Sequence, residues 1–211
     1  MKRERDKNLK YVLFLNKMMA LPISREQAIE LLKKFPQADS DMNHYLESEA
    51  IMKSLAKKIG EDENYWGMLG LLHDVDWALT KNNSKEHLTK APKILKEAGF
   101  DNEFIEIILS HGYGWDCAGL SEKKRSRKIE YDLAASETLT GIIHAYALMR
   151  GGKISDMEAK GLKKKFKDKA FAAGCRREII EEIENLGISM EEFFEIAIEG
   201  IKNIKDQVKL N

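Results

Sequence analysis

The stretch "GMLGLLHDVDWALT", Gly67–Thr80, decides how the chain is read. Met68, Leu69, Leu71 and Leu72 put four apolar residues into five positions, and His73, Asp74 and Asp76 follow at once. A helix that is apolar all round runs through the middle of a domain rather than over its surface. The segment from about Asn64 to Asp74 reads as such a helix, and its end delivers an imidazole and a carboxylate to the interior. Alone, the pair reads as a core histidine hydrogen-bonded by its neighbour, since buried polar groups find partners. Neutral imidazole and ionised carboxylate are equally good ligands for zinc, iron or manganese. What the remaining chain brings to the same place decides between the two.

Outward from this stretch the chain has a helical period, three prolines and no convincing alternating run, which predicts an all-α fold. "SREQAIELLKKF" opens with Ser24 and has Gln27 three residues on, a capping box, and Pro36 ends that helix. "DSDMNHYLESEAIMKSLAKKIG" is the next helix, with His44 near its start and Gly60 as its stop. A helix is expected from Glu86 to Ala98, and "DNEFIEIILSHGYGW" is a shorter capped one that finishes on Ser110 and His111. "IEYDLAASETLTGIIHAYALMR" is a second strongly apolar helix, ended by Gly151 and Gly152. Residues 153–211 are rich in Lys and Glu and read as a helical C-terminal subdomain packed on residues 1–152, with no Pro- or Ser-rich linker between them.

The bulk properties narrow the function. With 211 residues, 43% of them hydrophobic, the chain can bury a substantial core. Its 35 basic and 35 acidic residues cancel, so no global field draws it to nucleic acid or to an anionic membrane. Two cysteines in unlike contexts, Cys117 and Cys175, make neither a disulfide framework nor a zinc site; they fit a reducing, cytoplasmic compartment and read as bystanders. The opening "MKRERDKNLKYVLFLNKMMALPIS" has the outline of a signal peptide, but Asn16 and Lys17 interrupt its apolar part and no small-residue cleavage site follows. No apolar run approaches the roughly 20 residues needed to span a bilayer.

Five histidines occur, and His44, His87 and His111 join His73 in falling at or near predicted helix ends, where several elements converge on one pocket. A carboxylate to close such a pocket must come from another apolar helix. Glu137 stands among Ala134, Ala135, Leu139 and Ile142, where its charge is costly unless a cation pairs with it. Asp132, five residues earlier, is the competing candidate.

This ordered set resembles the HD superfamily of metal-dependent phosphohydrolases. "NHYLESEAIMKSLAKKIG", "LGLLHDVD" and "EHLTKAPKILKEAGFDNEFIEIILSHG" resemble three successive helical segments of an HD domain, covering about residues 40–145. The resemblance implies an HD-domain helical bundle, here with a small helical C-terminal extension whose sequence resembles the subgroup called predicted HD-superfamily hydrolases. It implies metal ligation by His44, His73, Asp74 and Glu137, the last replacing the family's usual Asp. One more methylene still permits ligation but moves the oxygens. Some members hold two metals through extra histidines, which maps onto His87 and His111 with Asp74 as the bridge. Read by themselves, those two histidines can equally cap backbone carbonyls or bind a substrate phosphate.

The implied activity is hydrolysis of a phosphate ester of a nucleotide or other small metabolite through a metal-activated water, with Asp74 and His73 as catalytic residues. One or two divalent transition ions (iron, manganese or zinc) would be needed, and the partner is a small phosphorylated substrate rather than nucleic acid or membrane. The alternative is a metal-binding but catalytically weak HD domain serving as a ligand sensor or interaction module; a purely structural helical protein is the third reading. Asp76 either orients a ligand histidine from behind or caps a turn. His144, two helical turns or about 10.5 Å beyond Glu137, is too far for the same ion and reads as a core or supporting residue. Trp66, Trp77 and Trp115 read as packing, and Lys163, Lys164, Lys165, Lys167 and Lys169 as a solvated face. "HGYGWDCAG" is either a loop beside the pocket or a simple turn.

Overall fold

Ser24 starts the first helix as its sequence predicts. The Ser24 hydroxyl accepts the Gln27 N–H at 3.3 Å, Gln27 Oε1 accepts the Ser24 N–H at 2.8 Å, and α1 runs Arg25–Lys33. The computed structural model describes residues 21–211, so the signal-peptide outline falls almost wholly outside the described residues. Helix α2, Asp39–Ile59, stops at Gly60, whose φ of +81° is left-handed and favours glycine. Asp62 then caps α3, Glu63–Leu72, by accepting the N–H groups of Asn64 and Tyr65.

Helix α3 is the buried rod expected from its composition: eight of its ten residues are buried. It folds back along α2, with Gly67 against Lys53 and Gly70 against the Ser48 backbone, where an added Cβ would lie 2.6 Å from the carbonyl oxygen. The helix ends at Leu72, two residues earlier than expected. His73 and Asp74 occupy the turn beyond it, where the Val75 N–H bonds the Leu72 carbonyl and the Trp77 N–H bonds that of Asp74. This turn swings both side chains off the helix axis.

The expected helix from Glu86 to Ala98 is broken. After α4, Trp77–Thr80, a 3₁₀ turn occupies Ser84–Glu86, and α5 begins only at Ala91 and runs to Glu97. Pro92 cannot sit inside a helix that starts at Glu86, and Leu88 takes a φ of +67°. The fully buried Asp76 carboxylate fixes the break by accepting the backbone N–H groups of Leu88, Lys90 and Ala91 at 3.2, 2.9 and 3.1 Å. A continuous helix would use those amides itself. Helix α6, Asn102–Ser110, is capped by Asp101. Helix α7, Lys128–Met149, is buried around most of its circumference through residues 130–143 and forms the axis of the molecule.

Helices α8 (Ala159–Lys167), α9 (Arg177–Ile180) and α10 (Met190–Lys202), with a 3₁₀ turn at Glu181–Leu186, follow. Phe193, Phe194, Ile198 and Ile201 of α10 belong to the same apolar cluster as Leu69 and Leu72 of α3. The fold is all-α: no strand occurs among the described residues. No helix among them is long and apolar enough to cross a membrane.

The approach at Gly70 yields a test. Gly70→Ala places a methyl group against backbone that cannot turn aside, and overpacking of this kind costs about 1–3 kcal/mol. The expected outcome is a lower urea midpoint with an unchanged denaturant slope.

Candidate metal centre

Five separate elements bring polar side chains to one cavity of about 450 Å³. His44 comes from the second turn of α2, Asp74 from the turn after α3, His87 from the turn after the first 3₁₀ segment, His111 from the C-cap of α6, and Glu137 from the middle of α7. His73, fully buried, backs this wall. Its Nε2 lies 2.9 Å from His44 Nε2 and 3.6 Å from Asp74 Oδ2, which is itself 3.8 Å from His44 Nε2. On the other side Asp74 Oδ1 lies 3.3 Å from His87 Nε2 and 3.1 Å from His111 Nε2, and these two nitrogens are 3.2 Å apart. Each oxygen of Asp74 thus serves its own pair of imidazoles.

The hydrogen bonds behind the rings decide what those nitrogens present. His73 Nδ1 donates to the Gly70 carbonyl at 2.8 Å and His111 Nδ1 to the Ile108 carbonyl at 2.7 Å. The Thr140 hydroxyl donates to the Glu137 carbonyl at 2.6 Å, so toward His44 Nδ1, at 2.8 Å, it accepts. With each Nδ1 proton engaged outward, the Nε2 atoms of neutral His44, His73 and His111 turn bare lone pairs inward. His87 Nδ1 faces Asp76 Oδ1 at 3.5 Å, beyond hydrogen-bond length. Lone pairs at such separations repel unless positive charge lies between them.

The electrostatics agree. Burial holds the His73 imidazole down to about 3, so it is neutral at any physiological pH. Burial also disfavours a charge on His87, but the carboxylates of Asp74 and Asp76 outweigh it and push the ring up to about 10. Burial works against the charge of Asp74 as well, yet the imidazoles around it, with the positive charge of His87 and the hydrogen bonds of His87 and His111 among the causes, hold it well below the usual carboxylate range. A carboxylate that stays ionised among electron-pair donors is suited to cations. His44, His73 and Asp74 form one group able to hold a metal, and Asp74, His87 and His111 a second, with the donor atoms of each group within 4.8 Å of one another. Imidazole nitrogen with carboxylate oxygen fits a divalent transition metal.

The two acidic candidates on α7 separate clearly. Glu137 lines the cavity, its carboxyl raised by burial, with His111 and His44 opposing that shift and Thr138 donating to Oε1. Asp132 does not line it. It is fully buried, neither of its oxygens has a hydrogen-bond partner, and its charged neighbours are Lys128 and Glu61. Five residues turn a helix by about 140°, so the two carboxylates cannot share a face. Asp76 caps the start of α5 and lies 3.5 Å from His87 Nδ1 without a hydrogen bond to it. His144 stands apart, its Nδ1 2.6 Å from Glu47 Oε1, and that bond raises the imidazole above its ordinary value.

Several readings need correction. Trp66 is packed in the core, but Trp77 and Trp115 line the cavity, and so do Cys117 and Cys175. "HGYGWDCAG" is a loop beside the pocket: Gly112, Trp115, Asp116 and Cys117 are in its wall. Thr140 went unnoticed because a threonine in an apolar helix carries no signal of its own; its spacing of three from Glu137 was the available clue.

Residues 42–146 match the family model of the HD domain. The chain carries an HD domain over about half of its length, which places it in the HD-domain superfamily. No curated protein and no solved structure matches the chain.

Thr140→Val keeps the shape and removes the acceptor that fixes the His44 tautomer. Losing such a supporting hydrogen bond typically weakens metal binding about 10–100-fold; titration calorimetry with Mn²⁺ should show a loss of that order with helicity unchanged. Asp132 supplies a pH test. Burial holds its carboxyl up to about 7, against about 3.9 in an unfolded chain, so between those values the folded state binds the extra proton. Its contribution to stability therefore falls as pH rises from about 4 to about 7 and is flat above. Asp132→Asn should gain on the wild type by a few kcal/mol on moving from pH 4.5 to pH 8 in urea denaturation.

Proposed function

We propose that this protein is a metal-dependent phosphohydrolase acting on a phosphate ester of a nucleotide or other small metabolite. The observation that carries this reading is the convergence of four imidazole Nε2 atoms on the two oxygens of Asp74 inside one cavity. His44, His73 and Asp74 would hold one divalent ion and Asp74, His87 and His111 a second, while Glu137 lines the same cavity without belonging to either close group. Such ions, when bound, lower the pKa of a water toward neutrality and polarise a phosphoryl oxygen.

The chain's own residues supply the rest. Gly70, Ile108 and Thr140 keep three Nε2 lone pairs aimed inward, so the donor set is formed before any ligand arrives. Asp74 balances charge between the two halves. Lys85, at the mouth of the cavity and paired with Asp116 at 3.1 Å, is the lysine or arginine nearest the donor set among the cavity's lining residues and attracts an anionic substrate. Trp77, Trp115, Cys117 and Cys175 keep bulk water from the remaining wall, which strengthens every charge interaction inside. A small phosphorylated molecule is the partner this cavity suits, and the free thiols of Cys117 and Cys175 support a reducing, cytoplasmic setting.

The test is a panel of phosphomonoesters and phosphodiesters given to protein supplemented with Mn²⁺, Fe²⁺ or Zn²⁺. Turnover that a chelator abolishes, and that Asp74→Ala lowers at least 10³-fold with helicity retained, is the expected result. Tight metal retention with no turnover on the whole panel would move the assignment to a ligand-sensing HD domain. A folded protein that binds no metal would end both readings.

A further inference from the structure

The cavity is not built by the HD domain alone. Gly174 and Cys175 line it, and both lie in the segment between α8 and α9, beyond the matched residues 42–146. That segment is pressed hard onto α7: a Cβ added at Gly141 would sit 2.6 Å from Cys175 Sγ. Gly141 is one turn beyond Glu137, so Cys175 stands directly over the donor end of the cavity. The charge of Glu137 is among the influences raising the Cys175 thiol above its ordinary value, after burial.

The segment is held in place by two adjacent arginines. Arg177 donates to the backbone carbonyls of Phe166, Asp168, Phe171, Ala172 and Cys175, five acceptors around one planar guanidinium. A loop whose carbonyls converge on one cation in this way has little freedom to withdraw. Arg176 reaches across to the opposite lip, donating to the Gly114 carbonyl at 3.2 Å and lying 4.7 Å over the Trp115 ring. Trp115 remains 39% exposed in spite of this contact, so its ring is open to a molecule entering the cavity it lines.

We propose, resting on the phosphohydrolase reading, that Cys175 is a specificity-determining residue. Held by Arg177 against Gly141, it forms with Trp77 and Trp115 the wall that limits the group esterified to the phosphate, and the wall selects a flat, apolar group. Phosphate faces the imidazoles and Asp74, while the other half of the substrate lies between the two tryptophans and the thiol. Of the three wall residues, Trp77 and Trp115 neighbour donors in the chain, whereas Cys175 lies beyond residues 42–146 and can be altered without touching the donor set.

The experiment uses two non-hydrolysable probes, phenylphosphonate and methylphosphonate, titrated calorimetrically into the Mn²⁺-supplemented full-length protein. Wild type is expected to bind phenylphosphonate at least tenfold more tightly than methylphosphonate. Cys175→Phe, which fills the space, should lose at least tenfold for phenylphosphonate and stay within twofold for methylphosphonate, with metal content unchanged. Cys175→Leu serves as a graded second variant in case the larger side chain impairs folding, and its loss should fall between wild type and phenylalanine. Equal affinity of wild type for the two probes, no binding of either, or variants that weaken both probes together or neither would each overturn the proposal. Binding is read without turnover: a phenyl preference in a protein inactive on the phosphoester panel would retain the wall and remove the hydrolase, and turnover without the preference would do the reverse.

Discussion

Four imidazoles share one carboxylate in this molecule, and the His44 and His73 Nε2 atoms, each with its Nδ1 turned to a partner behind the ring, stand 2.9 Å apart. What holds them there is a set of hydrogen bonds on the far side of the rings. Two backbone carbonyls, Gly70 and Ile108, and one hydroxyl, Thr140, take the Nδ1 protons, and Asp76 faces the fourth ring. Each of these partners is fixed by a helix end or a helix interior, so the scaffold holds the rings against side-chain rotation. The orientation of the donors toward a possible cation is therefore set by the backbone as well as by the residue types.

The same constraint explains features of the fold that otherwise look incidental. Gly70 must be glycine for α3 to lie on the Ser48 backbone, and its carbonyl is the one that orients His73. Asp76 fixes the break in the expected helix before α5, and the break leaves His87 in a turn from which it reaches Asp74. Thr140 ties α7 to α2 through His44, and one turn on from each, His144 and Glu47 make a second tie between the same helices. Burial of α7 on nearly all sides keeps Glu137 and Thr140 at fixed depth. Packing and site geometry are one arrangement here, because the ligands sit at helix ends whose positions only the core determines.

The C-terminal residues carry more than a packing role. Their helices share the central core through Phe193, Phe194 and Ile198, and the loop before α9 reaches the cavity itself. The donor residues all lie within residues 42–146, whereas Cys175 reaches the cavity from beyond them, on a loop whose carbonyls take five hydrogen bonds from Arg177. Part of the selectivity is thereby assigned to a segment apart from the donors, which suits a fold used for many substrates.

Local signals made much of this legible in advance. Capping at Ser24, the stop at Gly60, the apolar rod ending in His73 and Asp74, and the placing of histidines at helix ends all follow from short-range chemistry, since a cap or an apolar period acts within a few residues. Glu137 stood ahead of Asp132 already in the family resemblance, and the fold adds that Glu137 lines the cavity while Asp132 is buried away from it. The part of Asp76 in the break before α5 was invisible because its partners are 12 to 15 residues away and an amide gives no sign of which acceptor it will meet. Cys175, Trp115 and Thr140 were misread or passed over for the same reason. By itself the sequence determined the helices, the core and the donor types; the tertiary structure alone decided which donors meet, how each ring is turned and what stands over them, since these depend on contacts between residues far apart in the chain.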